Sequence, residues 1–152
     1  KIIIGNKSFL ICPNINYDGE RNLIATVPEL LKSDVMLIPG CGSKFGSSQE
    51  FIDAVSPKYA ILQYEEFSAK SVFCMAAKKQ TEEVEETVKK YTDKGIKIFR
   101  TDIDHAIQFI TDGSDWEIKT MKEVADAEFE QASGVKPMKI AASEEKVAEP
   151  DL

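Results

Sequence analysis

Histidine occurs once in this chain of 152 residues, cysteine three times and tryptophan once. A single imidazole, His105, excludes a multi-histidine zinc centre, and cysteines at positions 12, 41 and 74 lack the close paired spacing of a structural zinc site. An odd number of thiols cannot pair fully within one chain, which favours free cysteines without fixing a compartment. No apolar run approaches the ~18 residues of a membrane-spanning helix, so no direct membrane insertion by this segment is expected. The opening Lys-Ile-Ile-Ile-Gly is too short for a signal peptide and does not begin with Met, which reads as a processed or excised piece. An excised extracellular domain is compatible with that reading, and the location stays open.

Positive charge is also short. Against 26 Asp and Glu stand 19 Lys and Arg, a formal net charge of −7. The excess is uneven: residues 1–110 hold 14 basic and 15 acidic side chains, residues 111–152 hold 5 and 11. A near-neutral body with an acidic end is a poor footprint for a phosphate-tracking protein. What is present, 43% hydrophobic and 30% charged residues, fits a folded chain with one core.

Ile2–Ile4 and Ser8–Cys12 are short apolar runs around Gly5-Asn6-Lys7, which predicts a hairpin. Asp18 to Thr26 carries a short helix with Leu23 and Ile24 inward, stopped before Pro28. Val35–Ile38 has no alternation, the mark of a strand covered on both faces. After a loop at 39–48, Ser47 and Glu50 are spaced as a capping box for a helix whose buried side is Phe51, Ile52 and Val55. Tyr59–Leu62 is the next strand, and residues 63–80 form a poorly patterned excursion. Val84, Val88 and Tyr91 give residues 82–94 a helical stripe, with Glu85/Lys89 and Glu86/Lys90 on the wet side. Strands follow at 96–99, 106–110 and 116–119, with turns at 101–105 and 112–115. The order predicts an α/β fold with a mixed β-sheet. A helical extension is expected at 121–137 and a flexible acidic tail at 138–152.

The loop after the doubly covered strand is the best local candidate for a site, because such loops line ligand clefts at the carboxyl ends of strands. Gly40, Gly42 and Gly46 offer backbone amides to an anion and Lys44 adds charge, but the spacing matches neither a Walker A loop nor the dinucleotide fingerprint. Cys41 as a nucleophile would have only His105 as an imidazole base. The carboxylates at 82, 83, 85, 86, 102 and 104 are explained by solvation and turns, although scattered acids can hold magnesium.

Residues 33–62, Ser-Asp-Val-Met-Leu-Ile-Pro-Gly-Cys-Gly-Ser-Lys-Phe-Gly-Ser-Ser-Gln-Glu-Phe-Ile-Asp-Ala-Val-Ser-Pro-Lys-Tyr-Ala-Ile-Leu, followed by Gly-Ile-Lys-Ile-Phe-Arg-Thr-Asp at 95–102, carry a resemblance. Over about residues 1–112 the chain resembles the second half of the metallo-β-lactamase-like domain in competence-associated DNA-uptake channel proteins and related hydrolases. The resemblance implies an αβ/βα domain over 1–120, as a half or in remodelled form, and places a two-metal centre beside the loop. Family members read Pro-His-His-Gly-Ser there; this chain keeps Pro39, Gly42 and Ser43 but has Gly40 and Cys41 at the histidine positions. A family Gly-Asp aligns with Pro13-Asn14, the family's later Gly-His-Pro-His segment falls near residues 78–82, which contain no histidine, and the upstream His-x-His-x-Asp-His motif is absent. His105 stands where the family has Gly.

Two-metal hydrolysis needs both ions in a set geometry, and glycine and amide side chains cannot hold them there. The expectation is a non-catalytic structural or protein-interaction domain, without cofactor or metal, whose vestigial site is Asn14, Gly40, Cys41, Gly42, Ser43 and Lys44. A half-domain leaves sheet surface to cover, which predicts a homo-oligomer or a covering half-domain as partner. Nucleic acid enters as a partner only through the resemblance. Two alternatives stay open: a partner-completed metal-dependent phosphodiesterase or other hydrolase, and a phosphate or nucleotide site at Gly40–Gly46.

Overall fold

The two isoleucine-rich runs at the start fold back on each other across Gly5 and Asn6. They form an antiparallel pair, β1 (Ile2–Ile4) and β2 (Lys7–Ile11). The computed structural model describes residues 1–64, 74–125 and 127, with backbone alone over 74–80. From β2 the chain runs through α1 (Tyr17–Thr26) to β3 (Val35–Leu37), through α2 (Gln49–Val55) to β4 (Tyr59–Leu62), and through α3 (Cys74–Thr92) to β5 (Lys97–Arg100). Strand order is β1-β2-β3-β4-β5, and every pair after the first is parallel. A helical turn, α4 (Thr101–Asp104), leads to a separate antiparallel ribbon of β6 (Ile107–Ile110) and β7 (Glu117–Thr120). The α/β class and the mixed sheet follow as the sequence predicts. Among the described residues the mixing comes from the first hairpin, and the last one forms a separate two-stranded sheet.

Register decides which side chains meet. Leu10, Met36, Ala60 and Ile98 are cross-strand partners and form one row, so they share a face. That row packs in one core with Leu23 and Ile24 of α1, Phe51, Ile52 and Val55 of α2, and Val84, Val88 and Tyr91 of α3. The inward residues expected for all three helices are therefore inward. On the opposite face lie the rows Phe9–Val35–Tyr59–Lys97 and Ile11–Leu37–Ile61–Phe99.

The ribbon crosses this second face. Phe109 sits among Phe9, Tyr59, Phe99 and Trp116, with ring centroids 5.5–6.2 Å away. Its turn is anchored where the Asn6 N–H donates to the Gly113 carbonyl at 2.9 Å. Gly5 and Gly113 approach so closely that a Cβ on Gly5 would stand 2.7 Å from the Gly113 oxygen, which is why both positions are glycine.

Three local expectations change. Ser48, not Ser47, caps α2: its side chain accepts the Phe51 N–H at 3.2 Å, while Glu50 is exposed and completes no capping box. Ser47 is drawn out of that role by buried partners described below. The helix expected at 82–94 begins at Cys74, so part of the supposed excursion is helical; residues 65–73 lie outside the described residues. The turn at 101–105 closes as a single helical turn. Of the C-terminal extension, residues 121–125 are helical, and the tail expected at 138–152 lies outside the described residues.

Candidate functional site

Parallel strands end at the same edge, so the turns after β2 and β3 come together. The Gly40 N–H donates to the Pro13 carbonyl at 2.7 Å, which sets Pro13-Asn14 beside Gly40-Cys41 at the carboxyl ends of the two strands. Asn14 thus shares one place with Gly40 and Cys41, which lie far from it in sequence, and Asn14 and Cys41 are exposed there. The turn is a 3₁₀ segment, Pro39–Gly42, with Gly40 (φ 59°) and Cys41 (φ 52°) both left-handed. Only glycine adopts that conformation freely, so Cys41 carries a backbone cost.

Packing explains much of the glycine pattern. A Cβ on Gly42 would lie 2.9 Å from Leu62 Cδ1 and 3.2 Å from Val84 Cγ2, and φ there is +82°. Gly42 is pressed against the core and does not line an open cradle. The Ser43 N–H donates to the Gly40 carbonyl at 3.0 Å, and Ser43 Oγ accepts the Phe45 N–H at 3.2 Å. Lys44 is engaged by Glu83 at 2.9 Å and lies over the Phe45 ring, 5.3 Å from its centroid. The amide and ammonium groups that an anion would use are largely occupied within the chain.

Below this loop lies a buried polar network that sequence reasoning missed. Glu20, on α1, is fully buried; Oε1 accepts the Ser47 N–H at 2.5 Å and Oε2 accepts the Ser48 N–H at 2.9 Å. Two charge-assisted bonds to backbone donors stabilise the ionised carboxylate out of water. Ser47 Oγ and the Tyr91 hydroxyl are 3.0 Å apart, both buried. Burial pushes the Tyr91 phenol far above its usual range, an effect that the Ser47 hydrogen bond partly offsets and the nearby Glu20 charge reinforces. The signal was present in the sequence: Glu20 stands three and four residues before Leu23 and Ile24, on the same inward face.

The Arg-Thr-Asp turn is likewise held by its own chain. Arg100 makes a two-point contact with Asp102 at 3.0 and 2.7 Å and reaches Glu85 at 2.6 Å. Asp102, more than any other neighbour, holds the guanidinium well above its usual range. Thr101 Oγ1 donates to the Tyr64 carbonyl and accepts the Tyr64 N–H, tying the ends of β4 and β5. His105 is exposed on the turn leaving α4. Cys12 is half-buried and its thiol is pushed up by desolvation, whereas Cys41 is exposed. Among the described residues, no three His, Cys, Asp or Glu side chains come together as a metal site.

The second candidate is the part of the second sheet face that the ribbon, among the described residues, leaves uncovered. A cleft of about 530 Å³ opens between ribbon and sheet, lined by Ile2, Ile4, Ile11, Ile61, Phe109 and Trp116 among others. Ile2, Ile4, Ile11 and Ile110 are exposed at this side of the molecule. Contiguous apolar surface of this kind marks interaction sites. No helix among the described residues is long and apolar enough to cross a membrane.

No protein-family model and no solved structure matches the chain. It is similar to a competence protein, ComA, of Neisseria gonorrhoeae, with 33% identity over 109 residues. The similarity covers 72% of this chain and 14% of that protein, so the chain spans a small part of the relative's length. By this similarity the chain is related to a competence protein.

Proposed function

We propose that this chain is a competence-related, non-catalytic domain that works by protein association, built on a metallo-β-lactamase-like half whose metal-holding side chains have been lost. The observation that carries the proposal is the sheet face on the ribbon side: among the described residues, one side of the sheet is roofed by three helices, the other only partly by a two-stranded ribbon. The convergence of Asn14, Gly40 and Cys41 supports the second part. These residues meet where the resemblance places a two-metal centre, and they supply a neutral amide, no side chain and one thiol. Lys44 held by Glu83, and Gly42 wedged against Leu62 and Val84, weigh against a phosphate cradle in the same loop.

Two measurements test this function. Dilute protein should enhance the fluorescence of anilinonaphthalene sulfonate, and the double variant Ile11→Lys/Ile61→Lys should abolish the enhancement while keeping the far-UV circular dichroism of the parent. An enhancement that survives both substitutions overturns the association face. Hydrolysis of bis(p-nitrophenyl) phosphate with added Zn²⁺ or Mn²⁺ should stay at the blank rate; chelator-sensitive turnover overturns the non-catalytic assignment.

A further inference from the structure

We infer that the partner of the open sheet face is a second copy of this chain, aligned by a reciprocal contact between Lys7 and Asp115. This rests on the association reading above and goes beyond it by naming the partner and the residues that select it.

Lys7 lines the cleft with its side chain only 14% exposed, and the carboxylate of Asp115 is 3.9 Å away on a side chain that is 98% exposed. That separation is at the outer limit of an ion pair. Arg100 and Asp102 show the difference: they meet at 2.7 Å with side chains 16% and 10% exposed. Lys7 is thus largely withdrawn from water without a close counter-charge, while Asp115 remains almost wholly solvated and available. The two sit beside the apolar patch, next to the anchored turns at Asn6 and Gly113.

A partner carrying only acidic groups would satisfy Lys7 and be repelled by Asp115; one carrying only basic groups would do the reverse. A surface with both signs at the same spacing satisfies both, and a second copy provides it. In a two-fold pair, the contact from Lys7 of one copy to Asp115 of the other recurs in the opposite sense. The sheet edges point to the same side. β5, at one edge of the described sheet, carries the exposed Lys97, a charge that discourages strand pairing; β1, at the other, is three exposed isoleucines. Docking around β1 and the cleft extends one apolar surface against its own copy.

Sedimentation equilibrium on the full chain, over a concentration series, tests the inference. The expected result is a mass that rises to twice that of the chain. Lys7→Glu and Asp115→Lys should each be monomeric alone, and an equimolar mixture of the two should recover the dimer, because both contacts of the mixed pair then join opposite charges. A pair acting only within one chain would not be rescued by mixing. Circular dichroism checks the fold of each variant; should a reversal prevent folding, Lys7→Gln and Asp115→Asn should each weaken dimerisation several-fold. A wild-type chain that stays monomeric, or a mixture without recovery, overturns the second copy as partner. If that chain still gives the Ile11- and Ile61-dependent dye signal, the association face stands with a different partner. If the signal is absent as well, the underlying reading falls too.

Discussion

Leu10 and Ile11 are neighbours in one strand, yet Leu10 is 6% exposed and Ile11 47%. Alternation puts Leu10 under the helices and Ile11 on the side of the ribbon. Under the helices, Met36, Phe51, Val55, Leu62 and Tyr91 are sealed from water, and the buried Glu20 has both oxygens engaged. On the ribbon side, the rings around Phe109 pack together, and Phe109 and Trp116 share the lining of an open cleft with Ile2, Ile4, Ile11 and Ile61. One face is sealed by helices, and the other combines buried rings with apolar surface that the described residues leave partly exposed.

The sharpest way to break that contrast is to compare one substitution from each face. Phe51→Ala, under the helices, should cost about 4 kcal/mol, whereas Ile11→Lys should stay within about 0.5 kcal/mol in the uncomplexed chain. Urea titrations read both, and equal costs would mean that the two faces are not finished differently. Glu20→Ala comes next. It leaves the Ser47 and Ser48 N–H groups buried or half-buried without an acceptor, and thermal melts should show a loss of about 3 kcal/mol.

Tyr91 sharpens the comparison through pH. Its phenol titrates higher in the folded chain than in the unfolded one. Its contribution is therefore intact below the unfolded value of about 10 and is lost as the pH rises from there toward the folded value. Denaturation between neutral and strongly alkaline pH should show that fall. Tyr91→Phe should flatten it, at a cost of about 1 kcal/mol at neutral pH from the lost Ser47 bond. The smallest effect lies at the entrance to the ribbon. His105 holds φ 59° and ψ −121°, a backbone suited to glycine. His105→Gly should raise stability by about 0.5–1 kcal/mol, the strain relieved being offset by the added freedom of the unfolded chain.

Much of the fold was legible in the residues. Hydrophobic period placed the strands of the sheet and the inward faces of α1, α2 and α3, because a strand or helix with one apolar side has few ways to bury it. The cap of α2 was misplaced by one residue for a physical reason. Ser47 and Ser48 are equivalent on paper, and only the presence of Glu20 and Tyr91 beneath the loop draws Ser47 away from the helix end. The candidate loop does follow β3 as its strand pattern implied, but its glycines were open to two meanings. The contacts of Gly42 with Leu62 and Val84 show that packing accounts for at least that one.

By itself, the sequence determined the α/β class, the order of the main elements and the scarcity of histidine and cysteine, since composition and short-range periodicity act along the chain. Only the tertiary structure decided that Pro13 and Gly40 adjoin, that the Glu20 carboxylate meets the Ser47 and Ser48 N–H groups, that the last hairpin forms its own ribbon and that, among the described residues, one sheet face is only partly covered. Those facts depend on which surfaces meet in space, and contacts between residues dozens of positions apart leave no local pattern from which they can be read.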